Sequence, residues 1–542
     1  MRGLERIREY QRTHGTSYTL KRLWQKAVQR AFGTYDRLRA RRAPDAAELR
    51  RQREHPPEAG LISVVIPVYN TKGSFLSVLL DSLLAQTYSR WEAVLYDGCS
   101  TREETRAVLD RYAKADSRFR VFRGESNLGI SGNTNAAAAL ARGEYIALAD
   151  HDDVLSPEAL WQAARVIADE HPDMIYTDED RMSEDGRRHM DPHWKPDFCP
   201  DTLRSDNYIC HMAVMKKTLL EAAGGLRSGF DGSQDHDLYL RCAEKTDRIV
   251  HIPRVLYTWR ENFHSMSHRD LERCLDSGCR AVEEHEARRG WTVHAAPVNR
   301  EIRLWYEVDE NAAVEALIFG ESEDACRDCL AELEINTAWP RLTAALIVTD
   351  EKNRWGALDE AARSSEADFL LILDAGVREE NPHFIRELMM YAQRPDVAGV
   401  TPVLTDEKKH ITHGGFILAP ETGARCDNED LFVSAGGWHD RMNKVHNVGA
   451  VSLACMMLRR DVWTAPDPAY RSGLAAADLA LRQREAGRVF VFTPQASAVL
   501  EKGPLLLSGD ARDAEDLARL QKAWGSLLYD PCLSPELFRG ND

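Results

Sequence analysis

Between Leu61 and Ala149 the apolar positions alternate between short continuous runs and helical spacing. Ile62 to Pro67, Trp91 to Tyr96, Phe119 to Phe122 and Tyr145 to Ala149 are predicted as strands. Phe75 to Ala85, Arg102 to Lys114 and Thr134 to Arg142 are predicted as the helices between them. Strands alternating with helices of this length imply right-handed βαβ units and a mostly parallel sheet. After Pro157 the pattern becomes mixed, with strands predicted near Met174 to Tyr176, His211 to Met215 and Arg248 to Ile252.

A second block begins near Val314 and repeats the first. Ala316 to Phe319 stands where Val64 to Pro67 stands, and Asp368 to Leu373 where Tyr145 to Ala149 stands. Val451 to Arg460 echoes Ile209 to Lys217, and Asp478-Leu479-Ala480-Leu481-Arg482 echoes Asp237-Leu238-Tyr239-Leu240-Arg241. Four correspondences in one order predict a structural duplication. The expected organisation is a basic helical leader and linker (1–59), a first α/β domain (60–270), a helical linker (271–309), a second, similar domain (310–505) and a tail (506–542).

Composition narrows the class. At 542 residues the chain exceeds one ordinary core, and 43% hydrophobic content supports two. No apolar stretch reaches the roughly 20 residues of a membrane span, and no signal-peptide apolar region opens the chain, so a cytoplasmic protein is expected. Eleven cysteines at irregular spacing predict reduced thiols, and the lone Cys326-Arg327-Asp328-Cys329 pair predicts no zinc site. The net charge of −16 hides a basic leader with fifteen Lys/Arg against seven Asp/Glu over residues 1–59. Leu20, Leu23, Trp24, Ala27, Val28, Ala31, Tyr35 and Leu38 recur there at helical spacing among basic residues. Two readings stay open: peripheral contact with the anionic inner membrane leaflet, or packing on the main body or a partner. No nucleic-acid motif accompanies the basic residues, so nucleic acid is not an expected partner.

The chemistry concentrates in Asp150-His151-Asp152-Asp153, where an apolar strand empties toward a helix announced by Ser156-Pro157-Glu158. The carboxyl ends of strands form the ligand crevice of an open α/β sheet. Carboxylates one residue apart can share a hard divalent cation, which in turn neutralises a diphosphate. The plain alternative is a solvated acidic turn.

Five ordered stretches carry a resemblance: Val64-Val65-Ile66-Pro67-Val68-Tyr69-Asn70, Ser126-Asn127-Leu128-Gly129-Ile130, Gly143-Glu144-Tyr145-Ile146, Asp150-His151-Asp152-Asp153 and Gly232-Ser233-Gln234-Asp235-His236-Asp237-Leu238. Over about residues 60–270 the chain resembles the catalytic domain of family 2 glycosyltransferases, which have the GT-A fold. The tandem arrangement is similar to two-domain transferases that build bacterial surface polysaccharides.

The resemblance implies a GT-A catalytic domain, a degenerate GT-A-like second domain, a nucleotide-diphosphate sugar donor and a lipid-linked or polysaccharide acceptor. It implies Mn²⁺ or Mg²⁺ at Asp152 and Asp150, with His264 as a further candidate ligand. Pro67, Tyr69, Asn70, Asp97, Asn127 and Gly129, together with Asp150 and Asp152, are implied for the nucleotide sugar. Asn207, Tyr208, His211, Trp259 and Arg260 are implied for the acceptor or sugar pocket. Asp235 is implied as the base for the acceptor hydroxyl, with inversion at the anomeric carbon; the plain alternative is a helix cap. Many relatives carry two acids after the second strand, but here Asp97 is followed by Gly98, which puts a strict uridine preference in doubt. Aligning strand ends puts Gly376 at the place of Asp152 and Ala476 at that of Asp235, so the second domain is expected to be a pseudo-transferase that binds acceptor or partner, or stabilises the first. Rival readings are a sugar nucleotidyltransferase, for which the basic Gly-rich phosphate loop is missing, and a non-catalytic scaffold or glycan-binding protein.

Overall fold

The structure is a computed structural model and describes residues 34–261, 270–298, 301–500 and 511–537. Nine strands form the first sheet: β1 Ile62–Val68, β2 Trp91–Asp97, β3 Phe119–Arg123, β4 Tyr145–Leu148, β5 Val154–Leu155, β6 Met174–Met182, β7 His189–His193, β8 Ala213–Lys216 and β9 Ile249–Arg260. Their order is β3-β2-β1-β4-β8-β6-β9-β5, with β7 pairing on β6. The first four run parallel because a helix crosses back after each of the first three strands. β1 is buried on both faces, with Val64, Val65, Ile66 and Val68 wholly enclosed. Burying each such side chain is worth about 1.5–3 kcal/mol, so this run anchors the domain.

The predicted helices are present, with one shifted start. The helix expected from Thr134 begins at Gly129 and ends at Leu140. Gly129, Ser131, Gly132 and Asn133 are weak helix formers, and tertiary contacts rather than propensity hold that first turn. Ser131 Oγ donates to Asp231 Oδ1 at 2.5 Å, and Asn133 Nδ2 donates to Asn127 Oδ1 at 2.8 Å.

A two-stranded hairpin, β10 Val293–Val298 and β11 Glu301–Tyr306, precedes the second sheet. That sheet contains β12 Val314–Gly320, β13 Leu342–Val348, β14 Phe369–Asp374, β15 Arg378–Glu379, β16 Val397–Thr405 and β17 Ile411–His413. A small separate pair, β18 Phe416–Ala419 and β19 Gly423–Cys426, is followed by β20 His446–Val448, β21 Cys455–Arg459 and β22 Val489–Val499 of the main sheet. The order β13-β12-β14-β21-β16-β22-β15 repeats that of the first sheet without an equivalent of β3. Directions repeat as well: β14 to β21 is antiparallel and β16 to β22 parallel, as β4 to β8 and β6 to β9 are.

The two domains meet through buried charge. Arg394 forks onto Asp201 with contacts of 2.5 and 3.0 Å, and both side chains are essentially inaccessible. Asn447 closes the group, donating to Asp201 Oδ2 and accepting from its backbone N–H. Burial works against ionisation of Asp201, but Arg394 and Arg204 hold its carboxyl well below the usual range. Lys444 of the second domain reaches Asp206 at 2.5 Å and Glu301 at 3.4 Å.

Of the leader, Leu20 to Ala31 lies outside the described residues. Its end, the helix Thr34–Arg42, packs on the body: Tyr35 Oη and Arg39 Nε both donate to Asp180, at 2.9 and 3.0 Å. No helix among the described residues is long and apolar enough to cross a membrane.

Removing one partner of a buried ion pair strands the other charge. Arg394→Ala is expected to lower unfolding stability by about 3–5 kcal/mol in a urea titration, with Asp201→Asn costing less because Asp396 and Glu286 remain beside Arg394 and Arg204.

Candidate active site

A cleft of about 1860 Å³ opens at the carboxyl ends of β1 and β4. Its walls bring together residues far apart in the chain: Pro67 and Tyr69 after β1, Asn127 and Gly129 before the next helix, Asp150 and Asp152 after β4, and Asp235 opposite. Asn207, His211 and Trp259 line it too. The two sheet neighbours β1 and β4 have connections leaving in opposite directions, so the crevice is the sheet's topological switch point.

The acidic run turns sharply out of β4 and is fixed from behind. Asp153 is wholly buried; Tyr257 Oη donates to its Oδ2 at 2.6 Å and the Arg260 backbone N–H to its Oδ1 at 2.8 Å. The same Tyr257 hydroxyl accepts from the Asp150 backbone N–H at 3.0 Å. Arg260 Nε donates to the Asp152 carbonyl at 2.8 Å. Burial first, then the charges of Asp152 and Asp150, push the Asp153 carboxyl well above the carboxylate range. Asp150 is also raised, by burial first, with His211 pulling the other way.

Asp150, Asp153 and His211 offer ligand atoms all within 4.8 Å of one another. Asp150 Oδ2 and His211 Nε2 are 3.7 Å apart. Two donors about 2.1–2.2 Å from one ion stand about 3.0–4.4 Å apart, so this pair fits a divalent cation, and a mixed oxygen and imidazole set suits Mn²⁺. Asp153, with both oxygens engaged, orients the run. His211 is placed by Glu179, whose Oε2 accepts its backbone N–H at 3.1 Å. Burial opposes ionisation of Glu179, but Lys195 and His193 hold it down to about 2.

Asp235 lies in the first turn of the helix Gln234–Ala243 and caps nothing; its Oδ2 accepts from Asn207 Nδ2 at 2.8 Å. Asp237 turns away into the fold, wholly buried and paired with Arg227 and Arg241. Asn207 follows Asp206, the residue gripped by Lys444, so the second domain holds the segment that holds Asp235.

Five expected residues are placed differently or fall outside. Tyr208 is 2% exposed beneath the cleft, its hydroxyl accepting from the Cys199 N–H at 2.9 Å, so it is no pocket residue. Arg260 is buried at the end of β9, bracing the acidic turn instead of closing over a ligand. Asn70 spends its carboxamide oxygen on the backbone N–H groups of Thr101 and Arg102. Asp97 is buried and accepts the Ser100 N–H, so neither it nor Asn70 forms the cleft wall. His264 lies outside the described residues.

Sequence reasoning missed three contributors. The Asp153–Tyr257 pair was signalled only by a third acid in the run. Asn133 occupies the space beside Gly98, where a Cβ would lie 2.6 Å from its Nδ2. Trp438 and His439 reach the same cleft from the second domain, without any local signal.

The register fixes what the second domain lacks. β14 pairs with β12 and β21 as β4 pairs with β1 and β8, so Asp374, Gly376, Val377 and Ala454 stand for Asp150, Asp152, Asp153 and His211. Ala498 stands for Tyr257, since each faces its short strand at the same step. The hydroxyl and carboxylate of the first domain thus become an alanine and a valine. A Cβ at Gly376 would lie 3.2 Å from both Asp374 Oδ1 and Leu500 Cδ1.

Residues 63–222 match the model of Glycosyl transferase family 2. The match falls within the first α/β domain, from β1 to the helix that follows β8. The chain is 33% identical over 94% of its length to a protein of Sinorhizobium fredii described as uncharacterized protein y4gI, covering 61% of that protein. It is 30% identical over 88% of its length to O-antigen biosynthesis protein RfbC of Myxococcus xanthus, covering 40% of it. The chain thus spans less than two thirds of these relatives. Among solved structures, S. aureus TarS 1-349 in complex with UDP-GlcNAc has a TM-score of 0.35 at 21% identity, covering 41% of this chain and 66% of that one.

Tyr257→Phe would leave an Asp153 oxygen and the Asp150 N–H without their shared partner. It is expected to destabilise the fold by about 1–3 kcal/mol in chemical denaturation, against well under 1 kcal/mol for Tyr69→Phe at the open cleft wall.

Proposed function

We propose that this chain is a metal-dependent, inverting glycosyltransferase that moves a sugar from a nucleotide-diphosphate donor to a lipid-linked or growing bacterial surface glycan. The observation that carries the reading is one cleft with a cation-fitting Asp150–His211 pair on one wall and Asp235, oriented by Asn207, on another. The family match supports the reaction class, and the name of the Myxococcus relative supports a surface-polysaccharide acceptor.

Asp152, Asp150 and His211 would hold Mn²⁺ or Mg²⁺, with His264 as a further candidate. Bound there, the ion supplies Lewis-acid neutralisation of the departing diphosphate. Pro67, Tyr69, Asn127 and Gly129 form the wall that takes the nucleotide. Asp235 accepts the proton of the acceptor hydroxyl as that oxygen bonds to the anomeric carbon and the carbon–oxygen bond to the diphosphate breaks. One displacement from the opposite face inverts the centre. Trp259 and His211, in edge-to-face contact with ring centroids 6.4 Å apart, form one wall for the sugar.

The second domain is a pseudo-transferase: Gly376, Val377, Ala454 and Ala476 stand where the first domain has Asp152, Asp153, His211 and Asp235, and of the first domain's groups only the Asp150 carboxylate keeps a counterpart, Asp374. One live centre adds one type of sugar. The proposed location is the cytoplasm; the described end of the basic leader, Thr34–Arg42, packs on the body, which leaves the residues before it as the segment for peripheral contact with the inner membrane leaflet.

The test is hydrolysis of a nucleotide-sugar panel by purified protein, with and without Mn²⁺. One donor is expected to turn over slowly and only with metal. Loss of a general base costs typically 10²–10⁴-fold, so Asp235→Ala should reduce acceptor-dependent transfer by about that factor while nucleotide affinity is kept. Absence of nucleotide binding and of any metal effect would favour a scaffold.

A further inference from the structure

The cleft is larger than its proposed donor requires. Pockets for small ligands enclose about 300–1,000 Å³, against about 1860 Å³ here. The excess volume is bounded by Pro192, His193 and Trp194 of the β7 end and by Trp438 and His439 of the second domain. Trp194 and Trp438 stack with ring centroids 5.2 Å apart and planes 9° off parallel. His193 and His439 stack beside them at 4.4 Å, and His439 Nε2 lies 3.2 Å from the Pro192 carbonyl.

The backbone that delivers these rings is unusual. Gly436, Gly437, His439 and Asp440 have φ of 74°, 69°, 49° and 54°. Left-handed conformations at His and Asp cost energy, and such residues gather where a surrounding structure and a function hold them. A merely structural contact between two domains is made more cheaply by ordinary backbone. Trp438 is only half-buried and His439 is exposed, so both keep surface toward the cleft.

We propose that this interdomain end of the cleft is the acceptor subsite, and that it takes a saccharide chain across the Trp194–Trp438 stack and the His193–His439 pair. The inference rests on the transferase reading and gives the second domain its task. Trp194 is covered by Trp438 and by the Arg42 guanidinium, 5.5 Å from its ring centroid, so the accessible surface of Trp438 and the exposed His439 are what meet the apolar C–H faces and hydroxyl edges of sugar rings. The subsite exists only when both domains are present, because each ring pair takes one member from each.

The test uses the full chain with Trp438→Ala, His439→Ala and, as a conservative control, Trp438→Phe. Two readouts are taken: Mn²⁺-dependent hydrolysis across the nucleotide-sugar panel, and retention on an array of purified bacterial O-polysaccharides, capsular polysaccharides and teichoic acids. Wild-type protein is expected to bind at least one array glycan. Trp438→Ala should weaken that binding about tenfold or more, with donor hydrolysis unchanged and Trp438→Phe close to wild type. Glycan binding by Trp438→Ala within twofold of wild type, or no array binding by wild type, would overturn the subsite and leave the transferase reading intact. No hydrolysis of any donor by wild type would overturn the transferase reading itself.

Discussion

The buried Asp201–Arg394 pair is the constraint on which the arrangement of this protein depends. A carboxylate and a guanidinium taken out of water tolerate no loose geometry, because each is costly without the other. Arg204, Glu286 and Asn447 complete the group, with Arg204 Nε donating to Glu286 at 2.6 Å. The short helix Pro200–Ser205 that carries Asp201 leads directly into Asp206 and Asn207. Fixing the second domain against that helix therefore fixes, a few residues on, the carboxamide that orients Asp235. The Lys444–Asp206 pair adds a second tie at the cleft itself. The physics of the interface and the geometry of the site are one problem.

The duplicated sheet shows how one copy sheds chemistry and keeps shape. In the first domain a buried carboxylate, a tyrosine hydroxyl and a strand-end N–H hold an acidic turn in place. In the second, Val377 and Ala498 stand in the places of the first two, which removes the cost of burying a charge there. Asp478 and Arg482 keep their pairing at 3.0 Å, as Asp237 and Arg241 do at 2.6 Å, because that pair serves the helix and not the cleft. What the second copy gains is a loop into its neighbour's site.

Much of this was legible in the sequence. Parallel core strands are continuous apolar runs, so β1, β2 and β4 were found to within a residue or two, and the echo of Asp237 to Arg241 in Asp478 to Arg482 exposed the duplication. The acidic run and Asp235 were legible because their chemistry is local. Side-chain direction was less so. Trp259 and Arg260 are adjacent on one strand and point to opposite sides, one to the cleft and one beneath it. Asn207 and Tyr208 divide in the same way. Trp438, His439 and Lys444 were illegible because the contacts they make across the interface lie more than a hundred residues away, where no periodicity encodes them.

Mn²⁺ binding, followed by electron paramagnetic resonance with a nucleoside diphosphate present, tests most directly whether the protein has one live centre. The account predicts one bound ion per chain, lost in Asp152→Ala and His211→Ala and retained in Asp374→Ala. Two ions per chain, or a single ion that survives His211→Ala and disappears in Asp374→Ala, would contradict it.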